Sequence, residues 1–350
     1  MRLAEWLGVR YPLIQAPMAG AQRTALAAAV TNAGGLGSLP CALLSADELR
    51  TELTDLRSRT DGPVNLNFFA HIQPEPDASA ERAWRELLRP YYEQLGLDAD
   101  AQVSTATRLP FNQAMADVLA DHPPAVVSFH FGLPSERVVQ QLKRGGSKVL
   151  ATATTREEAE WLDAHGVDAV IAQGLEAGGH RGMFLSGDLT TQAGTFELLP
   201  QVLGAVHVPV IAAGGIATAE GIRAARALGA DGVQIGTAFL LCDEATTSAV
   251  HRAALQSSAA THTAITNLFT GRPARGIVNR LMRELGPVRS EPPAFPLAAT
   301  AIAPLRACAE ARGLADFSPL WAGQNVTGCK TGPAAELTRA LASAFDASTD

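Results

Sequence analysis

Eight short apolar runs, most of them followed by a segment with helical periodicity, constrain the fold of this 350-residue chain more than any other feature. Strands that alternate with helices form a parallel sheet with right-handed crossovers. Eight such units predict an α/β fold, the (β/α)8 or TIM barrel, in which the strands close into a cylinder inside a ring of helices. The predicted strands are residues 13–16, 36–39, 63–69, 125–129, 148–151, 168–173, 208–212 and 232–235.

A doubly wound open sheet is the alternative arrangement of the same elements. A dinucleotide-binding sheet of that kind carries a GxGxxG turn after its first strand. The corresponding turn here reads Ala16-Pro17-Met18-Ala19-Gly20, which lacks that pattern. The barrel is therefore the preferred prediction.

Local signals mark several element boundaries. Ser45-Ala46-Asp47-Glu48 and Thr155-Arg156-Glu157-Glu158 are both predicted to be capping boxes that begin helices. Residues 166–170 and 229–233 are near-copies, each with a helix-ending glycine and an aspartate in the turn before a strand. The near-copies indicate repeated βα units, or chance similarity in a chain rich in alanine and glycine.

The regular alternation is interrupted twice. Residues 70–124 are predicted to be an insertion after the third strand, with helices over 79–95 and 112–121 and a kink or division at Pro90. After the eighth strand, residues 241–350 are predicted to be a helical C-terminal extension that packs on the barrel. The expected organisation is thus a cofactor-binding barrel over residues 1–240 and an extension over 241–350.

Composition excludes several classes of protein. The net charge is −7 and the 28 basic residues are scattered, so no nucleic-acid footprint is predicted. The four cysteines are far apart and form no CxxC pair, which argues against a zinc site or a disulfide framework. No signal-peptide pattern or membrane span is recognisable, and a cytoplasmic location is expected.

The glycine-rich stretch from Ala172 to Gly182 is the strongest candidate site. It follows an apolar strand and contains four glycines around one histidine, His180, flanked by Glu176 and Arg181. Glycine lets another group approach the backbone closely, and a histidine at such a loop can accept or donate a proton near neutral pH. A long surface turn with a solvated histidine is the alternative interpretation.

Polar residues at the other strand ends are expected to meet at one face, because active sites of such barrels lie at the carboxyl ends of the strands. The turns Gly214-Gly215 and Gly236-Thr237 follow the last two strands, where barrels often bind phosphate. Few acidic residues join this set, so no metal site is predicted. The other polar or polarisable residues at strand ends are Gln15, Met18, Asn67, His130, Gln173 and His180.

Six ordered motifs resemble the nitronate monooxygenase family, whose members are FMN-dependent barrels once called 2-nitropropane dioxygenases. The resemblance runs from about Tyr11 to Phe239, and the Trp321–Gln324 segment is also similar. The histidine of the fourth-strand motif favours the first, bacterial and fungal, class of the family. The motifs are Ile14–Gly20, Asn65–Phe68, Ser128–Gly132, Ala172–Gly182, Ala213–Ile216 and Gln234–Thr237.

The resemblance implies that His180 is the catalytic base and that His130 is a second pocket histidine. It also implies that the cofactor is FMN. The implied reactants are O2 and an alkyl nitronate, for which propionate 3-nitronate is a candidate. Together with the phosphate turns, it gives as predicted FMN-binding residues Ala16, Pro17, Met18, Asn67, Gln173, Gly178, Gly179, Gly214, Gly215, Gln234, Ile235, Gly236 and Thr237.

One departure from the resembled class concerns the substrate pocket. That class lines its pocket with tyrosines and a lysine near the C-terminus, whereas this chain has tyrosine only at positions 11, 91 and 92 and a single late lysine, Lys330. Two alternative functions stay open: an NAD(P)H-dependent reductase on the same barrel, like enoyl-ACP reductase II or a quinone reductase, and a barrel that binds a phosphorylated metabolite without redox chemistry.

Overall fold

The computed structural model describes residues 3–101 and 108–346. Residues 102–107 of the predicted insertion and 347–350 of the predicted extension lie outside this range. The strands are β1 (Leu13–Gln15), β2 (Gly37–Pro40), β3 (Val64–Phe69), β4 (Val126–His130), β5 (Lys148–Ala153), β6 (Ala169–Gln173), β7 (Gly179–His180), β8 (Val210–Ala213), β9 (Gly232–Ile235), β10 (Thr263–Thr266) and β11 (Ala274–Ile277).

Eight of these strands form one parallel sheet in the order β1-β9-β8-β6-β5-β4-β3-β2. A further parallel bridge between Ile14 and Leu36 brings the two edges of the sheet together. The sheet is therefore a nearly closed barrel, and the predicted TIM-barrel fold is confirmed. Helix α1 contributes Leu3 and Leu7 to the hydrophobic cluster that contains the apolar side chains inside the barrel.

The described helices are α1 (Leu3–Leu7), α2 (Thr24–Asn32), α3 (Ala46–Arg59), α4 (Ala78–Leu95), α5 (Gln113–Asp121), α6 (Glu136–Arg144), α7 (Arg156–Ala164), α8 (Thr195–Leu203), α9 (Ala219–Ala227), α10 (Ala249–Leu255), α11 (Arg280–Leu285), α12 (Ala299–Ala311) and α13 (Ala334–Asp346). A large core of aliphatic and aromatic side chains fills the layer between the strands and the surrounding helices.

The two near-copies in the sequence have equivalent structures. The Asp168 carboxylate accepts a hydrogen bond from Val149 N at 2.8 Å, and the Asp231 carboxylate accepts one from Val210 N at the same distance. Each aspartate thus binds the first part of the neighbouring strand. This equivalence supports the interpretation of repeated βα units.

The inserted residues after β3 have two different roles. Helix α5 packs between α3 and α6 and is the regular helix of the third βα unit. Helix α4 instead packs against α12, and it continues through Pro90 without a division. The insertion proper is therefore shorter than residues 70–124, because α5 belongs to the barrel.

The C-terminal part contains strands as well as helices. Strands β10 and β11 form an antiparallel hairpin, and β11 also pairs with the short β7 of the glycine loop. Helix α13 packs against α9 and α2 and so completes the ring of helices at its open position. No helix in the described part of the chain is long and apolar enough to cross a membrane.

The first predicted capping box is present, but the second is only half formed. Ser45 and Glu48 bond each other's backbone N–H. Thr155 accepts a bond from Glu158 N, but the buried Glu158 carboxylate binds Thr154 N and Thr154 Oγ1, both at 2.7 Å. It also accepts bonds from the backbone N–H groups of Phe184 and Leu185. This carboxylate therefore holds the end of the glycine loop against α7.

We expect Glu158→Ala to lower the free energy of unfolding by about 1–3 kcal/mol or more, because several buried donors lose their acceptor. The exposed neighbour provides a matched control, Glu157→Ala, which should unfold like the unmodified protein. Urea unfolding of the three proteins, followed by circular dichroism, measures the difference. Equal midpoints for the two variants would contradict the assigned role of Glu158.

Candidate active site

One large cavity lies at the carboxyl ends of the barrel strands. Its wall includes every predicted site residue except Gln15 and Ile235. The Gln15 amide is fully buried and instead bonds Gln22 and the backbone N–H of Ser38. Ile235 lies in the hydrophobic layer between strands and helices and is 1% exposed, so its side chain cannot contact a ligand in the cavity. Side chains alternate along a strand, which is why Gln234 reaches the cavity and Ile235 does not.

The glycine loop is tied to the barrel through one carbonyl group. The His180 carbonyl accepts hydrogen bonds from Gln173 Nε2 at 3.0 Å and from His130 Nε2 at 3.1 Å. Gln173 Oε1 in turn accepts a bond from Gly182 N at 2.8 Å. Both the nitrogen and the oxygen of the Gln173 amide therefore hydrogen-bond the loop. The direct effect of Gln173 is to position His180.

His130 has the same positioning function. Its Nε2 faces a carbonyl, which can only accept, so Nε2 carries the proton and Nδ1 accepts from the Thr152 hydroxyl at 3.1 Å. Burial lowers the pKa of His130 to about 4, which keeps the ring neutral. The sequence predicted His130 as a catalytic residue, but both of its nitrogens are already bonded within the protein.

The charged residues beside His180 are also structural. Arg181 is fully buried and donates to the carbonyl groups of Gly174 and Gln173, each at 2.8 Å, which joins the two ends of the loop. The Glu176 carboxylate accepts bonds from the backbone N–H and hydroxyl of Thr195. Neither charge is directed at the His180 ring.

The C-terminal hairpin holds the other side of the loop. Strand β11 pairs with β7, so that Ala274 lies opposite His180. The ring of His180 contacts the buried Thr270 hydroxyl, with 2.9 Å between Nε2 and Oγ1. That hydroxyl donates to the Arg272 carbonyl at 3.4 Å, which leaves it to accept from His180 Nε2. The proton of the ring is therefore on Nε2, and Nδ1 has an open lone pair.

An aromatic cage surrounds His180. The ring centroids of the cage lie 5.3–6.2 Å from that of the histidine. Loss of hydration in this cage, followed by repulsion from Arg108, His130, Arg272 and His71, lowers the pKa of His180 well below its usual 6.5. The cage consists of Phe69, Phe131, Phe295 and Trp321.

The guanidinium of Arg272 is part of the same assembly. It stacks over Phe131 at 3.9 Å from the ring centroid and donates to the Met183 carbonyl. Phe131 itself has a φ of 72°, in the left-handed region that non-glycine residues rarely adopt. A strained aromatic residue thus supports a cation near the histidine, and no periodic pattern along the chain predicted either contact.

The opposite end of the cavity is built from the turns after β8 and β9. Gly215 has a φ of 68°, and Gly236 precedes a short 3-10 turn that begins at Thr237. The C-terminal tail covers both turns: Asn325 Nδ2 donates to the Gly215 carbonyl at 2.8 Å, and Gly323 N donates to Thr237 Oγ1 at 2.9 Å. The Thr237 hydroxyl accepts that bond, so its own hydrogen is available to a ligand.

The tail approaches the glycine loop so closely that Gly178 is required there. A Cβ atom at this position would lie 2.5 Å from Ala322 C and from Gly323 N.

Between the two ends of the cavity, the buried Gln234 Oε1 has no partner within the described residues. A buried acceptor of this kind calls for a donor from a bound molecule. Residues 3–101 and 108–346 hold no group of three His, Cys, Asp or Glu side chains suited to a metal ion.

The tyrosines and the late lysine do not line the cavity. Tyr91 and Tyr92 belong to α4 and pack into a separate cluster with α12, where Tyr92 OH donates to the Ala301 carbonyl at 2.6 Å. Sequence reasoning missed the residues that take their place in the wall. The missed wall residues include Phe69, Arg108, Thr247, His251, Arg306, Glu310 and Trp321.

Comparison with known proteins agrees with this geometry. The family model for nitronate monooxygenase matches residues 1–343. A nitronate monooxygenase of Paraburkholderia phytofirmans is 44% identical over 337 residues, which cover 96% of this chain and 92% of the relative. One of Pseudomonas aeruginosa is 42% identical over 343 residues, 97% of each chain.

A solved structure, described as a nitroalkane oxidase from Streptomyces ansochromogenes, has a TM-score of 0.88 and 40% identity, with 99% of this chain and 98% of that chain covered. The family model, the sequence relatives and this structure agree over nearly the whole length. The resemblance inferred from the six motifs is confirmed: the chain belongs to the nitronate monooxygenase family.

Proposed function

We propose that this member of a flavin-dependent oxidoreductase family binds FMN and oxidises alkyl nitronates with O2 to carbonyl compounds, releasing nitrite. The observation that carries the proposal is the charge around His180. The charged groups that act on this ring are the guanidinium groups of Arg108 and Arg272, and none is a carboxylate. His130 and His71, whose pKa values are lowered to about 4, are neutral at pH 7. A nitronate is an anion, so these surroundings stabilise it, whereas a neutral nitroalkane gains little from them.

The low pKa of His180 favours the same substrate. A histidine that stays neutral at pH 7 has an open Nδ1 lone pair, but a low pKa makes it a weak acceptor of a proton from carbon. A nitronate has already lost that proton. We infer that His180 mainly orients the nitronate, and that it acts as the base only when a neutral nitroalkane is supplied.

The donor set of the cavity is compatible with FMN. The turns at Gly214-Gly215 and Gly236-Thr237 supply backbone N–H groups and a hydroxyl for the phosphate. Gln234 Oε1 and Asn67, whose amide donates to Ser128 Oγ at 2.9 Å, lie where an isoalloxazine edge would need hydrogen-bonding groups. Bound FMN supplies the redox chemistry that passes electrons from the substrate to oxygen.

The remaining wall residues exclude water and set the geometry. Ala16, Pro17 and Met18 form a continuous small or polarisable surface after β1 that suits the flat face of a ring system. The aromatic cage desolvates the nitronate end of the cavity, which strengthens its attraction to the arginines. We propose that residues 1–240 hold the cofactor and that residues 241–350 serve as an extension that closes the site.

The NAD(P)H-dependent reductase is the second candidate, and the comparisons favour it less. It makes a different spectroscopic prediction: rapid anaerobic bleaching of the flavin by NADH or NADPH. Slow or absent bleaching, together with nitrite release from a nitronate under air, supports the oxidase function. A purified protein without flavin colour would instead favour a non-redox phosphate-binding barrel.

We expect the purified protein to contain about one non-covalent FMN per chain and Gly215→Val to lose most of it. Valine strains the left-handed backbone at Gly215 and crowds the turn that would bind the phosphate. The matched control is Gly146→Val, which has the same kind of left-handed backbone but open space around the site of its Cβ. Absorbance at flavin wavelengths after gel filtration measures occupancy. Equal occupancy in the two variants would contradict the phosphate site.

We expect His180→Asn to lower turnover of a neutral nitroalkane about 100- to 10,000-fold, the usual contribution of positioned proton transfer. Turnover of the corresponding preformed nitronate should fall much less, because only orientation is lost. Oxygen consumption with one alkyl chain in both forms measures the two losses, after FMN content has been equalised. His262→Asn, at an exposed position, is the control. Equal losses on both forms would mean that His180 is not the base.

A further inference from the structure

One wall of the cavity is polar and is formed entirely by the C-terminal part of the chain. Thr247 precedes α10 and His251 lies in its first turn. Arg306 and Glu310 come from α12, and Ser318 comes from the segment that follows α12. This wall lies in the same cavity as His180 but belongs to none of the six sequence motifs. Neither the proposed chemistry nor the proposed FMN contacts use it.

Two side chains of this wall have unsatisfied polar atoms. Thr247 is 7% exposed and His251 is 8% exposed, and both line the cavity. Thr247 Oγ1 and His251 Nε2 have no hydrogen-bond partner in the part of the chain that the structure describes. Buried polar atoms in native proteins are nearly always paired, so two of them on one cavity wall indicate a bound molecule.

The charged members of the wall pair with each other. Arg306 Nε donates to Glu310 Oε1 at 2.7 Å, and Ser318 Oγ donates to the same oxygen at 2.7 Å. The opposite charges of Arg306 and Glu310 offset each other at short range. The two buried atoms of this wall that lack a partner, Thr247 Oγ1 and His251 Nε2, belong to uncharged side chains.

The protonation of His251 defines what a bound group must do. Burial lowers the pKa of His251 to about 4, which keeps the ring neutral at pH 7. A neutral ring carries a proton on one nitrogen only, so Nε2, which has no partner among the described residues, either donates or accepts. A ligand group that can both donate and accept pairs with it in either tautomer. The Thr247 hydroxyl can donate to a second lone pair of the same ligand.

We propose that Thr247 and His251 form a specificity subsite for a hydroxyl group on the chain of the substrate, which hydrogen-bonds both His251 Nε2 and the Thr247 hydroxyl. A hydroxyl group can donate and accept at once, so it satisfies both atoms, whereas an aliphatic chain end would leave both unpaired. The substrate class is thus a hydroxyalkyl nitronate, and this assignment of the reaction rests on the proposed function.

The test uses two probes of nearly equal size, the preformed nitronates of 3-nitropropan-1-ol and 1-nitrobutane, which differ by a hydroxyl in place of a methyl group. For the wild-type holoenzyme we expect kcat/KM to favour the hydroxyl probe about tenfold to a hundredfold, because the methyl probe leaves buried polar atoms unpaired. In Thr247→Val and in His251→Leu that ratio should fall to within about threefold of unity. The control variant His262→Leu, at an exposed histidine, should keep the wild-type ratio.

Titration calorimetry with the two neutral nitroalkanes gives a readout without turnover. Tighter binding of 3-nitropropan-1-ol that is lost in Thr247→Val supports the subsite, whether or not the nitronates are oxidised. If neither nitronate is oxidised, that result contradicts only the proposed function. Oxidation of both nitronates with equal kcat/KM in the wild type would overturn the subsite and leave the proposed function intact. A hydroxyl preference that survives in both variants would also overturn it.

Discussion

The pairing of β7 with β11 is the interaction on which the site depends. A glycine-rich loop has little conformational preference of its own, so contacts with other segments of the chain must position its histidine. The barrel binds one side of the loop through the His180 carbonyl, and the C-terminal hairpin binds the other, with Arg181 N donating to the Pro273 carbonyl at 2.8 Å. The hairpin also brings Thr270 to the His180 ring. The position of His180 therefore depends on contacts from both the barrel and the extension.

This arrangement has an electrostatic consequence. The hairpin that carries Thr270 also carries Arg272, and the cage that excludes water from His180 leaves the repulsion of the arginines unscreened. The ring therefore stays neutral while its surroundings stay positive. A neutral orienting group beside fixed cations suits an anionic substrate that needs no deprotonation. The uncharged side chains of Thr247 and His251 lie on another wall of the same cavity, which suits the other end of a substrate.

The sequence predicted the barrel well because buried parallel strands and glycine-ended helices have strong local signals. It also predicted which strand ends meet, since barrel topology determines that. The alternation of side chains along β9 already separates the side chain of Ile235 from that of Gln234, so a contact through the Ile235 side chain could have been excluded from the sequence. The half-formed capping box at Thr155 shows why a local motif can fail. The Glu158 carboxylate accepts four hydrogen bonds from donors outside the capping box, so tertiary contacts decide its conformation. The aromatic cage, Arg272 and the wall at His251 come from distant segments with no shared spacing, so only the folded chain brings them together.

The most direct test of this account is the protonation state of His180. In 15N-histidine-labelled holoenzyme, the His180 signals can be assigned by their absence in His180→Asn. We expect a neutral ring with its proton on Nε2 at pH 6.5, where an ordinary histidine is half protonated, because burial holds the pKa well below that value and Thr270 accepts from Nε2. Thr270→Val should lose this single tautomer, whereas Thr270→Ser should keep it. Titration of the wild-type ring near pH 6.5, or a proton on Nδ1, would contradict the account.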